Sequence, residues 1–126
     1  MKKYIAKVES LGSEIEEEVF LTVDGLSFLC FASICPYEIK EGGSYPVSFE
    51  LMVFEEYDVE ALNKEDRCGL ERAGQDFSYW VKGPLSGAVI DCGISFEDEV
   101  LLEYSYLDGK NVRLKVDRID VEFLEE

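Results

Sequence analysis

Apolar residues occupy every second position through much of this 126-residue chain. In Tyr45–Val53, apolar side chains alternate with Pro46, Ser48 and Glu50. The same rhythm recurs in residues 4–8, 19–23, 88–96 and 100–106. Alternation of this kind places one face of a β-strand against a core and the other face in solvent. The sequence therefore predicts an all-β protein.

Two Asp-Gly dipeptides, Asp24-Gly25 and Asp108-Gly109, are typical of two-residue hairpin turns. After the second, the apolar residues lie at even positions in Val112–Val116 but at odd positions in Ile119–Phe123. A regular strand cannot change faces, so we expect a bulge, or a bend between two sheets, near Asp117-Arg118. Such bends close small barrels. We predict a single antiparallel barrel-like domain of seven or eight strands over residues 1–126.

One short helix is expected between two groups of strands, at Asp58–Arg67. Asp58 is suited to be its N-cap, and Gly69 follows as a terminator. The segment Leu70–Asp76 is then expected to be a loop. The dipeptide Gly83-Pro84 is expected to end the next strand.

This order of elements resembles the OB-fold and related small barrels, although an OB-fold has five strands rather than seven or eight. The resemblance implies a binding module for single-stranded nucleic acid or a small ligand, with aromatic side chains that stack on the ligand. The candidates for stacking are Tyr79, Trp80, Tyr104 and Tyr106. In size and acidity the chain is also similar to small acidic bacterial immunity proteins.

The formal charge is −16, because 28 acidic residues face 12 basic ones and histidine is absent. Such a surface repels phosphate backbones and attracts basic proteins. Without histidine, the chain lacks the commonest general base and metal ligand. It also contains neither a Walker A loop nor a GxGxxG turn. We therefore expect a protein without enzymatic activity or a cofactor, for which a basic protein is favoured over nucleic acid as a partner.

The four cysteines, Cys30, Cys35, Cys68 and Cys92, include no C-x₂-C pair of the kind found in zinc sites. Lys2-Lys3 are not followed by the apolar segment of a signal peptide, and no apolar run could span a bilayer. We expect free structural thiols in a cytoplasmic protein with no membrane association. Metal binding or redox use of the cysteines is the alternative.

Carboxylate clusters are the candidate partner-binding features of the sequence. They can be solvated surfaces that keep strand edges from pairing, a docking surface for a basic partner, or a weak divalent-cation site built from oxygen ligands. Trp80 either anchors a partner from an exposed position or is buried in a second small core. The candidate residues are Trp80, Tyr79, Glu97, Asp98, Glu99, Glu55 and Glu56.

A second charged cluster interrupts the last predicted strands. Asp117 and Asp120 stand beside Arg113, Lys115 and Arg118, and Asp91, which interrupts an earlier strand, is a third acidic residue with which these basic residues could pair. Ordinary salt bridges are expected there, and a catalytic carboxylate pair is the alternative.

Together these features predict a non-enzymatic cytosolic interaction protein whose acidic face engages a basic protein. Inhibition of a basic toxin or nuclease, as an immunity protein does, is one specific form. The alternative is an OB-type binding module for single-stranded nucleic acid or a small ligand. The partner and the oligomeric state are left open by the sequence.

Overall fold

Eleven β-strands and one 3₁₀ segment form the regular structure of residues 2–125, which the computed structural model describes. The strands are β1 (Tyr4–Leu11), β2 (Glu18–Val23), β3 (Leu26–Ile34), β4 (Ser44–Met52), β5 (Val59–Ala61), β6 (Gly69–Arg72), β7 (Tyr79–Ser86), β8 (Val89–Asp91), β9 (Ser95–Glu97), β10 (Asn111–Val116) and β11 (Arg118–Phe123), and the 3₁₀ segment is Glu99–Leu107. The predicted all-β class is confirmed. A single barrel of seven or eight strands is not, because the strands divide between two sheets.

The first sheet contains β1, β2, β3, β4 and β11. Strands β1 to β3 are antiparallel neighbours in chain order, and β4 pairs with the free side of β1. This spatial order of four strands, 4-1-2-3, is a Greek key. Strand β11 lies between β3 and β4, parallel to β3 and antiparallel to β4, so each of the five strands has two neighbours.

The second sheet is formed by the chain between β4 and β11. Its strands follow the order β5-β10-β7-β8-β9, and β6 pairs with β7. Strand β10 ends at Val116 in this sheet, and β11 begins at Arg118 in the first sheet. The predicted bend at Asp117-Arg118 is confirmed. The apolar residues change from even to odd positions because the chain passes there from the second sheet into the first.

The interiors of the two sheets meet through aromatic rings. The Phe28 centroid lies 5.3 Å from Phe49 and 6.4 Å from Phe96, which belongs to the second sheet. A hydrogen bond adds a polar link, because the Leu29 N–H donates to the Tyr79 hydroxyl at 2.8 Å. Tilted and edge-on ring pairs of this kind add to the free energy of burying the rings themselves.

Asp24-Gly25 forms the predicted hairpin turn between β2 and β3. Both residues have positive φ, 49° and 83°, as a type I′ turn requires. Asp108-Gly109 does not connect two strands, since it follows the 3₁₀ segment.

The prediction of a strand end at Gly83-Pro84 was wrong, because β7 continues through both residues. On one side β6 pairs as far as Lys82, and β8 begins to pair at Leu85. The missing N–H of proline therefore falls where β7 changes partners. A Cβ on Gly83 would lie 1.7 Å from the Asp91 carbonyl oxygen, so only glycine allows this close approach.

The helix predicted at Asp58–Arg67 is absent from the described structure, and the loop predicted at Leu70–Asp76 is confirmed only for residues 73–76. Instead Val59–Ala61 is strand β5, paired with β10, and Gly69–Arg72 is strand β6. A helix of two or three turns is marginal by itself. Pairing with β10 gives the backbone hydrogen-bond partners and buries Val59 to 6% exposure.

The helical segment forms where the alternation of residues 100–106 predicted a strand. The Asp98 side chain accepts a hydrogen bond from the Val100 N–H and caps Glu99–Leu107, whose backbone departs from helical geometry at Tyr104. The alternating apolar positions do not face the core: Leu102 is 56% and Tyr106 is 69% exposed. No helix in residues 2–125 is long and apolar enough to cross a membrane.

Candidate functional site

A groove of ≈ 640 Å³ lies between strands β4 and β11 of the first sheet and residues 95–100, which include β9 and the start of the 3₁₀ segment. Its described lining contains one basic residue, Lys2, and six acidic residues. These are Glu50, Glu97, Asp98, Glu99, Asp120 and Glu122. The groove is therefore strongly anionic, and we call it the acidic groove.

Strands β4 and β11 form one wall of the acidic groove. In β4, Val47, Phe49 and Leu51 lie on one face of the strand, and Ser48 and Glu50 lie on the other. In β11, Ile119, Val121 and Phe123 are buried on one face, so Asp120 and Glu122 lie on the opposite face. The register places Ser48 opposite Glu122, and Glu50 opposite Asp120. Two adjacent strands thus present four polar side chains to the groove.

Asp120 is compensated inside the protein. The residue is 5% exposed. Its carboxylate accepts hydrogen bonds from Arg118 Nε at 2.6 Å and Nη2 at 3.3 Å. The guanidinium carbon also lies 3.9 Å from the Phe31 ring centroid and 5.3 Å from that of Phe54. The expected salt bridge at Arg118 is confirmed with Asp120 as its partner.

Asp98 is held in place at the other wall. The Tyr57 hydroxyl donates to Asp98 Oδ2 at 2.6 Å, and the Val100 N–H donates to Oδ1 at 3.0 Å. Burial, reinforced by the Asp98 carboxylate, raises the pKa of Tyr57 above its usual value. The phenol therefore stays protonated at neutral pH and continues to donate to Asp98.

The remaining carboxylates of the acidic groove are uncompensated. Glu50, Glu97, Glu99 and Glu122 form no ion pair with any residue of the described chain. Within residues 2–125, no three metal-ligating side chains are grouped so that they could hold a metal ion. Apolar side chains such as Ile34 and Met52 also line the groove. Its chemistry suits an organic cation with an apolar stem.

Three predicted site residues, Glu97, Asp98 and Glu99, line the acidic groove together. Glu55 and Glu56 are exposed residues that precede Tyr57 and do not line it. Of the two acidic clusters proposed from the sequence as a docking surface, the structure places residues 97–99 in the groove and Glu55-Glu56 outside it.

Tyr79 and Trp80 do not line the acidic groove. Tyr79 is 4% exposed, so its ring cannot reach a partner, and its hydroxyl joins the two sheets instead. Trp80 is half-buried on the opposite side of β7, where the Arg113 guanidinium carbon lies 4.5 Å from its ring centroid. Tyr79 is therefore corrected from a partner-binding to a structural residue.

Sequence reasoning missed the contribution of Ser48, Glu50 and Glu122 to the site. Each occupies a polar position in an alternating strand, which by itself indicates only a solvent-facing side chain. Their grouping depends on the pairing of β4 with β11. The whole second sheet separates these two strands in the sequence, so no local signal encodes their pairing.

The cysteines are separate from this site. Cys30 and Cys92 are buried free thiols, as expected, whereas Cys35 and Cys68 are exposed free thiols. Burial raises the pKa of Cys92 to about 11 and that of Cys30 well above its usual value. Because the thiolate is the reactive form, the buried pair is inert at neutral pH.

The comparisons with known proteins identify the family. Neither the search of the curated proteins nor that of the solved structures found a match. Residues 1–124 match the family described as uncharacterised conserved protein UCP019853. Since the match spans nearly the whole sequence, the chain belongs to this family.

Proposed function

We propose that this protein is a non-enzymatic binding protein whose acidic groove engages a basic region of another protein. The observation that carries the proposal is the set of four uncompensated carboxylates, Glu50, Glu97, Glu99 and Glu122, around one concave surface. A cleft lined by one sign of charge concentrates the electrostatic field and accelerates the approach of an oppositely charged partner. The net charge of −16 extends this attraction beyond the groove.

Inhibition of a basic toxin or nuclease is the specific form of this function that we favour. A concave acidic surface can occupy the basic face with which such a protein binds nucleic acid. We place the protein in the cytoplasm, where the exposed free thiols of Cys35 and Cys68 are compatible with reducing conditions.

An OB-like architecture is part of the proposal. The five strands of the first sheet form a Greek key with β11 as the closing strand, and an OB-fold is a five-stranded Greek-key barrel. On this view the second sheet is an insertion between the last two strands of the barrel.

A second candidate function follows from that architecture: binding of single-stranded nucleic acid or a small ligand. The half-buried Trp80, stacked with Arg113 and near Lys82 and Lys115 across β7 and β10, supports it. Cross-strand partners reduce this positive charge, because Arg113 pairs with Glu60 and Lys82 with Glu71. The overall charge opposes a polyanion, so this function ranks second.

The first function is tested by affinity capture with matched charge variants. The immobilised wild type, a groove variant (Glu97→Gln/Glu99→Gln) and a control variant (Glu14→Gln/Glu16→Gln) are exposed to lysate of the source organism. Each variant loses two carboxylates, but Glu14 and Glu16 lie outside the acidic groove. We expect wild type and control to retain the same basic protein and to release it as NaCl is raised. Equal retention by the groove variant, or a complex insensitive to salt, would refute the proposal.

The second function is tested by Trp80 fluorescence during titration with oligothymidylate at low salt, where such binding is strongest. Quenching that saturates would favour the nucleic-acid module. An unchanged spectrum would remove it.

A further inference from the structure

We infer that the part of the acidic groove formed by β4 and β11 binds an arginine side chain of the basic partner. The inference rests on the proposed function, because it assigns one residue type of that partner to one position. The residues that carry it are Ser48 and Glu50 on β4 and Asp120 and Glu122 on β11, which we call the β4–β11 patch.

The strand register arranges the patch as a square. Ser48 faces Glu122, and Glu50 faces Asp120. Side chains directly opposite each other in an antiparallel pair have Cβ atoms about 4.5–5.5 Å apart, and diagonal neighbours about 7–8 Å apart. Glu50 and Glu122 are such diagonal neighbours. The space between them can hold one planar cation that is hydrogen-bonded to both.

The charge of the patch is only partly compensated. Glu50 stands opposite Asp120, and like charges at opposed positions destabilise a sheet. Arg118 neutralises Asp120 with two hydrogen bonds. Glu50 and Glu122 have no cationic partner in the described chain. A cation from another molecule would complete the arrangement.

Ser48 gives a second, independent indication of a ligand. The residue is 4% exposed and lines the groove, yet its hydroxyl forms no hydrogen bond with any described residue. Every fully enclosed side-chain nitrogen or oxygen of the described chain has a partner. The Ser48 oxygen must therefore open onto the groove, where it can accept a hydrogen bond from a ligand N–H.

Arginine fits the patch better than lysine. A guanidinium is a planar fork of five donors that can serve two carboxylates and a hydroxyl at once, whereas an ammonium is a compact point charge. Ile34 and Met52 line the same groove and can contact the aliphatic stem. The adjacent Arg118 is held in a comparable way, by a carboxylate and the Phe31 ring.

The probes for the test are hexa-arginine and hexa-lysine peptides, titrated into the full chain by isothermal calorimetry. The variants are Glu50→Gln/Glu122→Gln and, separately, Ser48→Ala, with Glu14→Gln/Glu16→Gln as the matched charge control. Thermal melting of each variant establishes that it is folded. Ser48→Ala leaves the charge unchanged, so it separates a specific contact from general attraction.

We expect Glu50→Gln/Glu122→Gln to weaken hexa-arginine binding at least about tenfold, because hydrogen bonds to charged groups are lost. Ser48→Ala should weaken it by about threefold to tenfold, and the control by less than about twofold. Hexa-lysine should bind more weakly and should not respond to Ser48→Ala.

Two results would overturn the inference while leaving the proposed function intact. One is an equal loss of hexa-arginine affinity in Glu50→Gln/Glu122→Gln and in the Glu14→Gln/Glu16→Gln control. The other is an equal response of hexa-arginine and hexa-lysine to the variants. Failure of both peptides to bind the wild type, together with failure to retain any basic protein, would overturn the proposed function as well.

Discussion

Removing the hydroxyl group of Tyr79 should weaken the junction of the two sheets. Tyr79 is 4% exposed, and its oxygen accepts the Leu29 N–H at 2.8 Å. Leu29 lies in β3 before the residues at which β11 pairs with that strand, so the phenol takes the place of a strand partner. Tyr79→Phe keeps the ring but leaves a buried N–H without an acceptor.

The expected loss in free energy of unfolding is the cost of leaving a buried donor unsatisfied, about 1–3 kcal/mol. A chain of 126 residues has an unfolding entropy of about 0.26 kcal/mol/K near its midpoint. The melting temperature of Tyr79→Phe should therefore fall by about 4–11 °C.

Differential scanning calorimetry checks this prediction, with urea titration as a second measure. Tyr106→Phe is the matched control, because Tyr106 is 69% exposed and its hydroxyl forms no hydrogen bond with any described residue. The control should melt close to the wild type. If Tyr79→Phe melts at the same temperature as the control, the hydrogen bond is not what joins the sheets.

Three further predictions address thiol chemistry, packing and pH. With Ellman's reagent at pH 8, Cys35 and Cys68 should react fast and the two buried thiols only after unfolding; four fast thiols would contradict the described burial. Gly83→Ala should lower the free energy of unfolding by about 1–3 kcal/mol in urea titration, because its Cβ would collide with the Asp91 carbonyl; an unchanged midpoint would refute this packing. Because folding raises the pKa of Tyr57, its contribution to stability is complete below pH 10, the usual value, and is lost as pH rises above it. The urea midpoint should therefore fall less between pH 9 and pH 11 in Tyr57→Phe than in the wild type.

Local pattern correctly predicted the features that depend on neighbouring residues. The Asp24-Gly25 hairpin forms because two residues with positive φ suit that turn type wherever it occurs. The change of face at Asp117-Arg118 had to bend the chain, because side chains alternate strictly along a strand. Glu97, Asp98 and Glu99, which the sequence offered as partner-binding candidates, line the acidic groove together, and their binding role stays a prediction.

Errors arose where tertiary contacts outweighed local preference. Val59–Ala61 becomes a strand because β10 offers it an edge, and Glu99–Leu107 becomes helical because Asp98 caps it while Leu101 and Leu107 are buried. Alternation could not show that Leu102 and Tyr106 face solvent.

The sequence by itself determined that this chain forms strands, that it turns at Asp24-Gly25 and bends at Asp117-Arg118, and that it carries a large negative charge. The tertiary structure alone decided that β11 lies between β3 and β4, and hence that Ser48 and Glu50 meet Asp120 and Glu122. The physical reason is that strand pairing joins backbones distant in sequence through hydrogen bonds that are the same for every residue type. The register that builds the acidic groove is therefore selected by the packing of the whole molecule.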